Sequence, residues 1–237
     1  MFDAITATQL AMDFDQLKLQ SLSQNVANMN TLGFKRLIVE NTGFDVELTT
    51  QMTDLVAQLK PSQLKTQGTF NQTHNPGDLA LSGDGYFQVQ GEHGIFYTRR
   101  GDFQRNKQGE LTTATGEILL GKGGAIRVED NAFSIDARGA LLIDHHQVDQ
   151  LNIVQFNHPD LLKYVGNGLY QTDESPNPSD HTVRVLQGFL EQSNVKSIDE
   201  MMDMIKTSRH FEASQRVMHI ADGLLATAIN QLGEGNV

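Results

Sequence analysis

The chain has 237 residues, 38% of them hydrophobic, and a formal net charge of −11. That length supports one or two domains with a real core, and the acid surplus argues against a general nucleic-acid binder, whose phosphate contacts need a basic surface. The absence of cysteine excludes disulfides, thiolate zinc sites and a cysteine nucleophile.

The first zone, about 1–30, reads as helix. Ile5, Met12, Leu19 and Val26 recur every seven residues, Leu22 and Met29 extend the stripe, and neither Gly nor Pro occurs before Gly33. No Sec-type leader is legible: a basic n-region is missing, and Asp3, Asp13 and Asp15 interrupt any apolar run. No stretch approaches the roughly 20 apolar residues of a membrane span. The chain is therefore expected to stay in the cytoplasm or to leave by a route that reads no cleavable signal.

The helix pattern runs into "NVANMNTLGFKR", where Asn25, Asn28, Asn30 and Thr31 precede Gly33, Phe34 and a basic pair. Amides donate and accept at once, and Gly33 can supply a left-handed helix cap. Two readings stand side by side. One is a plain C-cap and turn with exposed Asn. The other has Asn25, Asn28, Asn30 and Thr31 fixing the helix end and the register of neighbouring subunits. Residues 35–67 are mixed and polar and read as a linker, with a short helix in "ELTTQMTDLVAQLK" before Pro61.

From about 68 to 190 glycines come every few residues. Short runs lie between them, "YFQVQ", "IFYTR", "EILL", "AIRV", "FSID" and "ALLID". These are strand lengths rich in aromatic and branched residues, and "QGEHGI" and "NKQGEL" have hairpin-loop chemistry. The expectation is an all-β middle domain, with "DESPNPSDH", 173–181, as a linker or exposed loop. "GEILLGK" carries the letters of a phosphate loop, but Gly123 stands where Ser or Thr would bind magnesium, and its interior favours a strand. His145 and His146, with Asp144 and Asp149, suggest a metal only weakly, because adjacent strand residues face opposite ways. His210 and His219 sit at an unhelpful helical phase for ligation, and no nucleophile elbow is present. Arg99 and Arg100 in "YTRRGDF" read as exposed cations of a hairpin region.

The last zone, about 197–232, is the stronger helix. Met204, Phe211, Met218, Leu225 and Leu232 form an unbroken seven-residue series, the seam pattern of a coiled coil. Ser197 with Glu200 forms a capping box, and Gly233 and Gly235 mark the stop. Met201, Met202, Met204 and Met218 read as packing residues. Arg209 and Glu212 flank Phe211 as solvated charges or as partners in an interhelix salt bridge. The fold class this implies is α+β: N- and C-terminal helices forming a coiled-coil-like stalk, with a central all-β domain. Its expected parts are 1–34, 35–67, 68–190 and 191–237.

Three stretches together resemble one family. "NVANMNTLGFKR" is similar to the N-terminal signature of bacterial flagellar axial proteins, the rod and hook subunits. "SGDGYFQVQGEHGIFYTRRGDFQRNKQGELTTATGEILLG" resembles their central motif, and "VLQGFLEQSNVKSIDEMMDMIKTSRHFEASQRV" their C-terminal signature, which includes Ser193, Asn194 and Val195. The resemblance implies a non-enzymatic subunit of the basal-body rod, with terminal helices forming an inner tube. It implies as partners other copies, other axial proteins and the flagellar type III export apparatus, with no cofactor, nucleic acid or small-molecule substrate. The distal-rod subunit is generally longer after the first motif, where this chain has "NTGFDVELTTQM", so a proximal-rod subunit is favoured. The alternatives are a distal-rod or hook-like subunit, or a non-flagellar coiled-coil scaffold displaying a β head.

Overall fold

A computed structural model describes residues 2–39, 61–64, 66–128, 133–179 and 182–234. The helix expected before Pro61, "NTGFDVELTTQM" and the stop at Gly235 lie outside the described residues. In chain order the elements are α1 (Phe2–Ala27), β1 (Leu37–Ile38), β2 (Ser62–Gln63), β3 (Phe70–Gln72), β4 (Leu79–Ser82), β5 (Tyr86–Gly91) and β6 (Gly94–Thr98). Then come β7 (Gln104–Arg105), β8 (Leu111–Thr112), β9 (Ile118–Gly121), β10 (Gly124–Ala125), β11 (Phe133–Ile135), β12 (Ala140–Ile143), β13 (His146–Gln150) and β14 (Ile153–Gln155). The last are β15 (Lys163–Gly166), β16 (Leu169–Gln171), β17 (Asn177–Pro178), β18 (Arg184–Gln187), β19 (Phe189–Glu191) and α2 (Ser197–Glu234). The chain is thus of mixed α and β type, with helices at both ends and strands between.

It divides into two compact units: Met1–Ala27, Leu37–Ser62 and Lys196–Val237 in one, Asn28–Arg36 and Gln63–Val195 in the other. In the first unit, α1 and α2 pack on each other. Glu200, Met204, Thr207, Phe211, Ser214, Met218, Ala221 and Leu225 are at least half-buried at alternating four- and three-residue spacings, the seam that a seven-residue period produces. Among the described side chains of α1 Leu22 is the most buried apolar one, while Ile5, Met12, Leu19 and Val26 are half-buried. Of the Leu232 side chain nothing is described.

In the second unit the main sheet runs β15-β16-β6-β5-β9-β8-β7, and β14 adds to β5. Both expected hairpins form: Gly91 pairs with Gly94 across "QGEHGI", and Gln104 and Arg105 pair with Thr112 and Leu111 across "NKQGEL". "EILL" belongs to β9 rather than to a phosphate loop. Asp144 and His145 form the turn between β12 and β13, both at positive φ. The stretch 173–181, expected as a loop, contains β17, which pairs with β14. The core holds Leu79, Phe87, Val89, Leu119, Ile126 and Leu141, each almost fully buried. A second cluster is aromatic: Tyr86, Tyr97, Tyr170 and Phe156, with Tyr164 against it, in mostly edge-to-face contact. Such pairs add about 0.5–1.5 kcal/mol each beyond burial.

Candidate assembly site

Asn25 is fully buried on α1. Its Nδ2 donates to the Leu37 carbonyl at 2.8 Å and to Glu200 Oε2 at 2.9 Å, and its Oδ1 accepts from the Leu37 N–H at 2.8 Å. One side chain thereby gives β1 a backbone-like partner and fastens α1 to the first turn of α2. Asp15, also buried, meets His210 Nδ1 at 2.5 Å. From the first contact to the second, α1 steps back ten residues while α2 advances ten, so the helices are antiparallel. At that register Phe2 lies at about the level of Gly223. The last turns of the 38-residue α2 therefore extend past the 26-residue α1.

Pairing leaves much of α2 uncovered. Ile198, Met201, Met202, Ile205, Val217, Ile220 and Leu224 are exposed, from 47% to 72% of their surface. Met201 and Met202, expected in packing, are on the outside, whereas Met204 and Met218 are half-buried. Arg209 and Glu212 are exposed, and among the described residues Arg209 forms no ion pair; the side-chain contact at this level of the helix pair is between Asp15 and His210. Sequence reading missed Asp15, His210 and Glu200 as pairing residues. The signal was their place on the seam, but a seam counted by apolar identity skips polar members.

In the second unit, the segment after α1 is a turn and not a helix cap. α1 ends at Ala27, and Gly33 takes φ +66° six residues later. Its N–H donates to the Glu191 carbonyl at 2.8 Å. A Cβ here would lie 2.6 Å from the Arg99 carbonyl carbon and oxygen, so glycine is required by both conformation and space. Asn28 Oδ1 accepts from Thr31 Oγ1 and, at 2.9 Å, from the Tyr164 hydroxyl. Phe34 is buried edge-on to Tyr164. Asn30 is exposed. Asn194 Oδ1 accepts from the Arg36 N–H at 2.6 Å, and its Nδ2 donates to the carbonyls of Leu64 and Thr66. Ser193 Oγ accepts from the Val195 N–H.

The turn also delivers a buried charge cluster. Lys35 Nζ lies 2.5 Å from Glu191 Oε1, and Arg99 Nη1 lies 3.1 Å from Glu191 Oε2. All three residues are 4% exposed or less. Arg99, expected in solvent, is interior: Nη2 donates to the Gly83 carbonyl, and the guanidinium carbon sits 5.4 Å from the Tyr86 ring centroid. Arg100 is half-buried in a two-point pair with Asp102. Burial, together with the adjacent Arg99 charge, holds the Lys35 ammonium below its usual value, against the pull of Glu191.

Terminal helices bracketing a β domain, with the three motifs in order, define a chain of the axial type. Two family descriptions match: the flagellar hook protein FlgE/F/G D1 domain over residues 80–143 and the flagellar basal body rod FlgEFG protein C-terminal over 186–232. The flagellar basal-body rod protein FlgG of Bacillus subtilis (strain 168) is 30% identical over 246 residues, covering 91% of this chain and 93% of that protein. FlgG of Buchnera aphidicola subsp. Schizaphis graminum is 29% identical over 257 residues, covering 95% and 98%. The flagellar basal-body rod protein FlgF of Rhizobium meliloti (strain 1021) is 29% identical over 221 residues, covering 91% and 92%. The chain belongs to the flagellar basal-body rod protein family. The Buchnera FlgG alignment is longer than the chain's own 237 residues, so that relative carries residues this chain lacks.

Proposed function

We propose that this chain is a proximal-rod subunit of the flagellar basal body, a structural protein and not an enzyme. Residues 1–34 and 191–237 build a coiled-coil-like stalk with those of neighbouring subunits, 35–67 link, and 68–190 form the β domain. Its partners are further copies, other axial proteins and the flagellar type III export apparatus. The inner contacts come from Ile5, Met12, Leu19, Leu22 and Val26 on α1 and from Met204, Phe211, Met218, Leu225 and Leu232 on α2. Asn30, Arg209 and Glu212 lie at the rim. Asn25, Asn28, Thr31, Gly33, Phe34, Ser193, Asn194 and Val195 serve the assembly from within, by holding the helix ends in place.

One observation carries this reading: α2 keeps seven large apolar side chains exposed, among the described residues, after pairing with α1. Each forfeits about 1.5–3 kcal/mol of burial, which a neighbouring copy restores. Shortness after the first motif favours the proximal rod. Contacts that repeat head to tail without closing generate tubes or fibres. Electron microscopy of the concentrated, purified chain is expected to show open tubes or fibres. Short closed bundles, or monomers at every concentration, would sink the proposal.

A further inference from the structure

The β unit contains a cavity of about 280 Å³, lined among others by Lys35, Gln63, Asp84, Tyr86, Arg99 and Asn157. Two buried cations, Lys35 and Arg99, contribute to its wall, and they share one buried anion, Glu191. Among the described residues the carboxylate in reach of Arg99 besides Glu191 is Asp84, 3.9 Å from Nη2 with its side chain 78% exposed, so water screens it; Asp160 acts on the neighbouring Tyr86. The buried groups alone therefore carry one uncompensated positive charge, and a charge in that setting requires a partner. Arg99 also has an unfilled valence: Nη1 and Nη2 are bonded, but Nε is buried with no hydrogen-bond partner among the described residues. Lys35 Nζ donates to Glu191 and to the Thr66 carbonyl, which accounts for two of its three protons. Gln63 Oε1 is buried and unpartnered as well.

We propose that this cavity is a carboxylate-binding socket, filled by an Asp or Glu side chain of a neighbouring copy of the chain. A carboxylate is acceptor-only and offers two oxygens. Its oxygens would sit against the Arg99 and Lys35 side chains that line the cavity, and its charge cancels the surplus. A copy of this chain is a suitable donor, with 29 acidic against 18 basic residues. The donor's identity rests on the assembly reading above; the socket does not. It would give the β domain a lateral contact of fixed geometry, since the Arg99 fork is locked by Glu191 and Gly83.

The test uses the dilute full-length chain labelled with nitrogen-15, following the arginine Nε–H resonances. Sodium acetate is expected to move the Arg99 signal saturably, acetamide to leave it in place, and sodium chloride at equal ionic strength to move it far less. An Arg99 signal unmoved by acetate, or moved as much by chloride, overturns the socket whether or not the chain forms tubes. Raising the protein concentration into the range of association should then reproduce the acetate shift, and acetate should weaken association. Association with the Arg99 signal unmoved overturns the neighbouring copy as donor and leaves the tube-forming reading intact. An Arg99→Lys chain keeps the charge but lacks Nε, and is expected to associate with acetate-insensitive affinity.

Discussion

Asn25 Nδ2 donates to Glu200 Oε2 across 175 residues of sequence, and neither residue has exposed surface. The same amide satisfies both backbone groups of Leu37. An Asn25→Ala substitution strands the Leu37 N–H and carbonyl and removes a donor from a buried carboxylate. The expected loss is about 2–4 kcal/mol, or on the order of 5–10 °C in the melting of the helical signal. Asn25→Asp should be worse, because it sets one carboxylate against another. Circular dichroism melts decide it, and an unchanged Asn25→Ala melt refutes the pin.

Gly33 and Gly94 make a controlled comparison. Both have positive φ, but a Cβ at Gly33 meets Arg99 backbone at 2.6 Å, whereas one at Gly94 meets nothing within 4 Å. Gly94→Ala is expected to cost about 1–2 kcal/mol from conformation alone. Gly33→Ala adds a backbone displacement and should cost about 3 kcal/mol or more. Equal losses in denaturant titrations would mean that the close approach to Arg99 carries no weight.

Glu191 holds two buried cations. Glu191→Gln leaves Lys35 and Arg99 without a buried counter-charge and is expected to cost about 3–5 kcal/mol. Lys35→Met should cost less, since Glu191 keeps Arg99 and the lysine's charged form is already disfavoured by burial. The order of the two unfolding midpoints tests the assignment, and a reversed order would contradict it.

The legible parts of this protein were those with a local period or turn. The strands around "QGEHGI" and "NKQGEL" follow from glycine placement and branched runs, and both pairings form as local chemistry dictates. The two helices follow from seven-residue repeats. Polar burial was illegible, because it depends on partners far away in sequence. Arg99 resembles any turn cation until Glu191, 92 residues on, closes over it. Gly33 has the look of a helix cap, yet its conformation answers to Arg99. On α1 the fully covered positions include Asp15 and Asn25 rather than only the apolar stripe, and a count of hydrophobic residues passes over both.

Alkali should unfold the aromatic cluster. Burial pushes the phenols of Tyr86, Tyr97 and Tyr170 above the ordinary value of 10.0, most strongly for Tyr170. Above about pH 10 the unfolded chain ionises these groups while the folded chain keeps them protonated. The folded state then binds more protons, so stability, intact below pH 10, falls as pH rises past it. Each such group steepens the fall by up to about 1.4 kcal/mol per pH unit. Tyrosinate absorbance should therefore lag and then rise together with unfolding, and Tyr170→Phe should make the decline shallower. Simple titration near pH 10 with the fold intact would contradict this.

Exposed apolar residues on α2 separate folding from assembly. Ile205 and Leu224 are 55% and 61% exposed, so Ile205→Lys and Leu224→Lys should alter the stability of the dilute chain by no more than about 0.5 kcal/mol. In the assembled state each lysine would sit where a neighbour's surface closes, losing about 1.5–3 kcal/mol of burial and adding a desolvated charge. The double variant is expected to fold with an unchanged melt, to form no tubes, and to leave cells lacking the native chain non-motile. Phe211 is half-buried in the pair, so Phe211→Ala should instead lower the melt. Should the Ile205→Lys, Leu224→Lys chain support swimming, this face of α2 does not meet a neighbour.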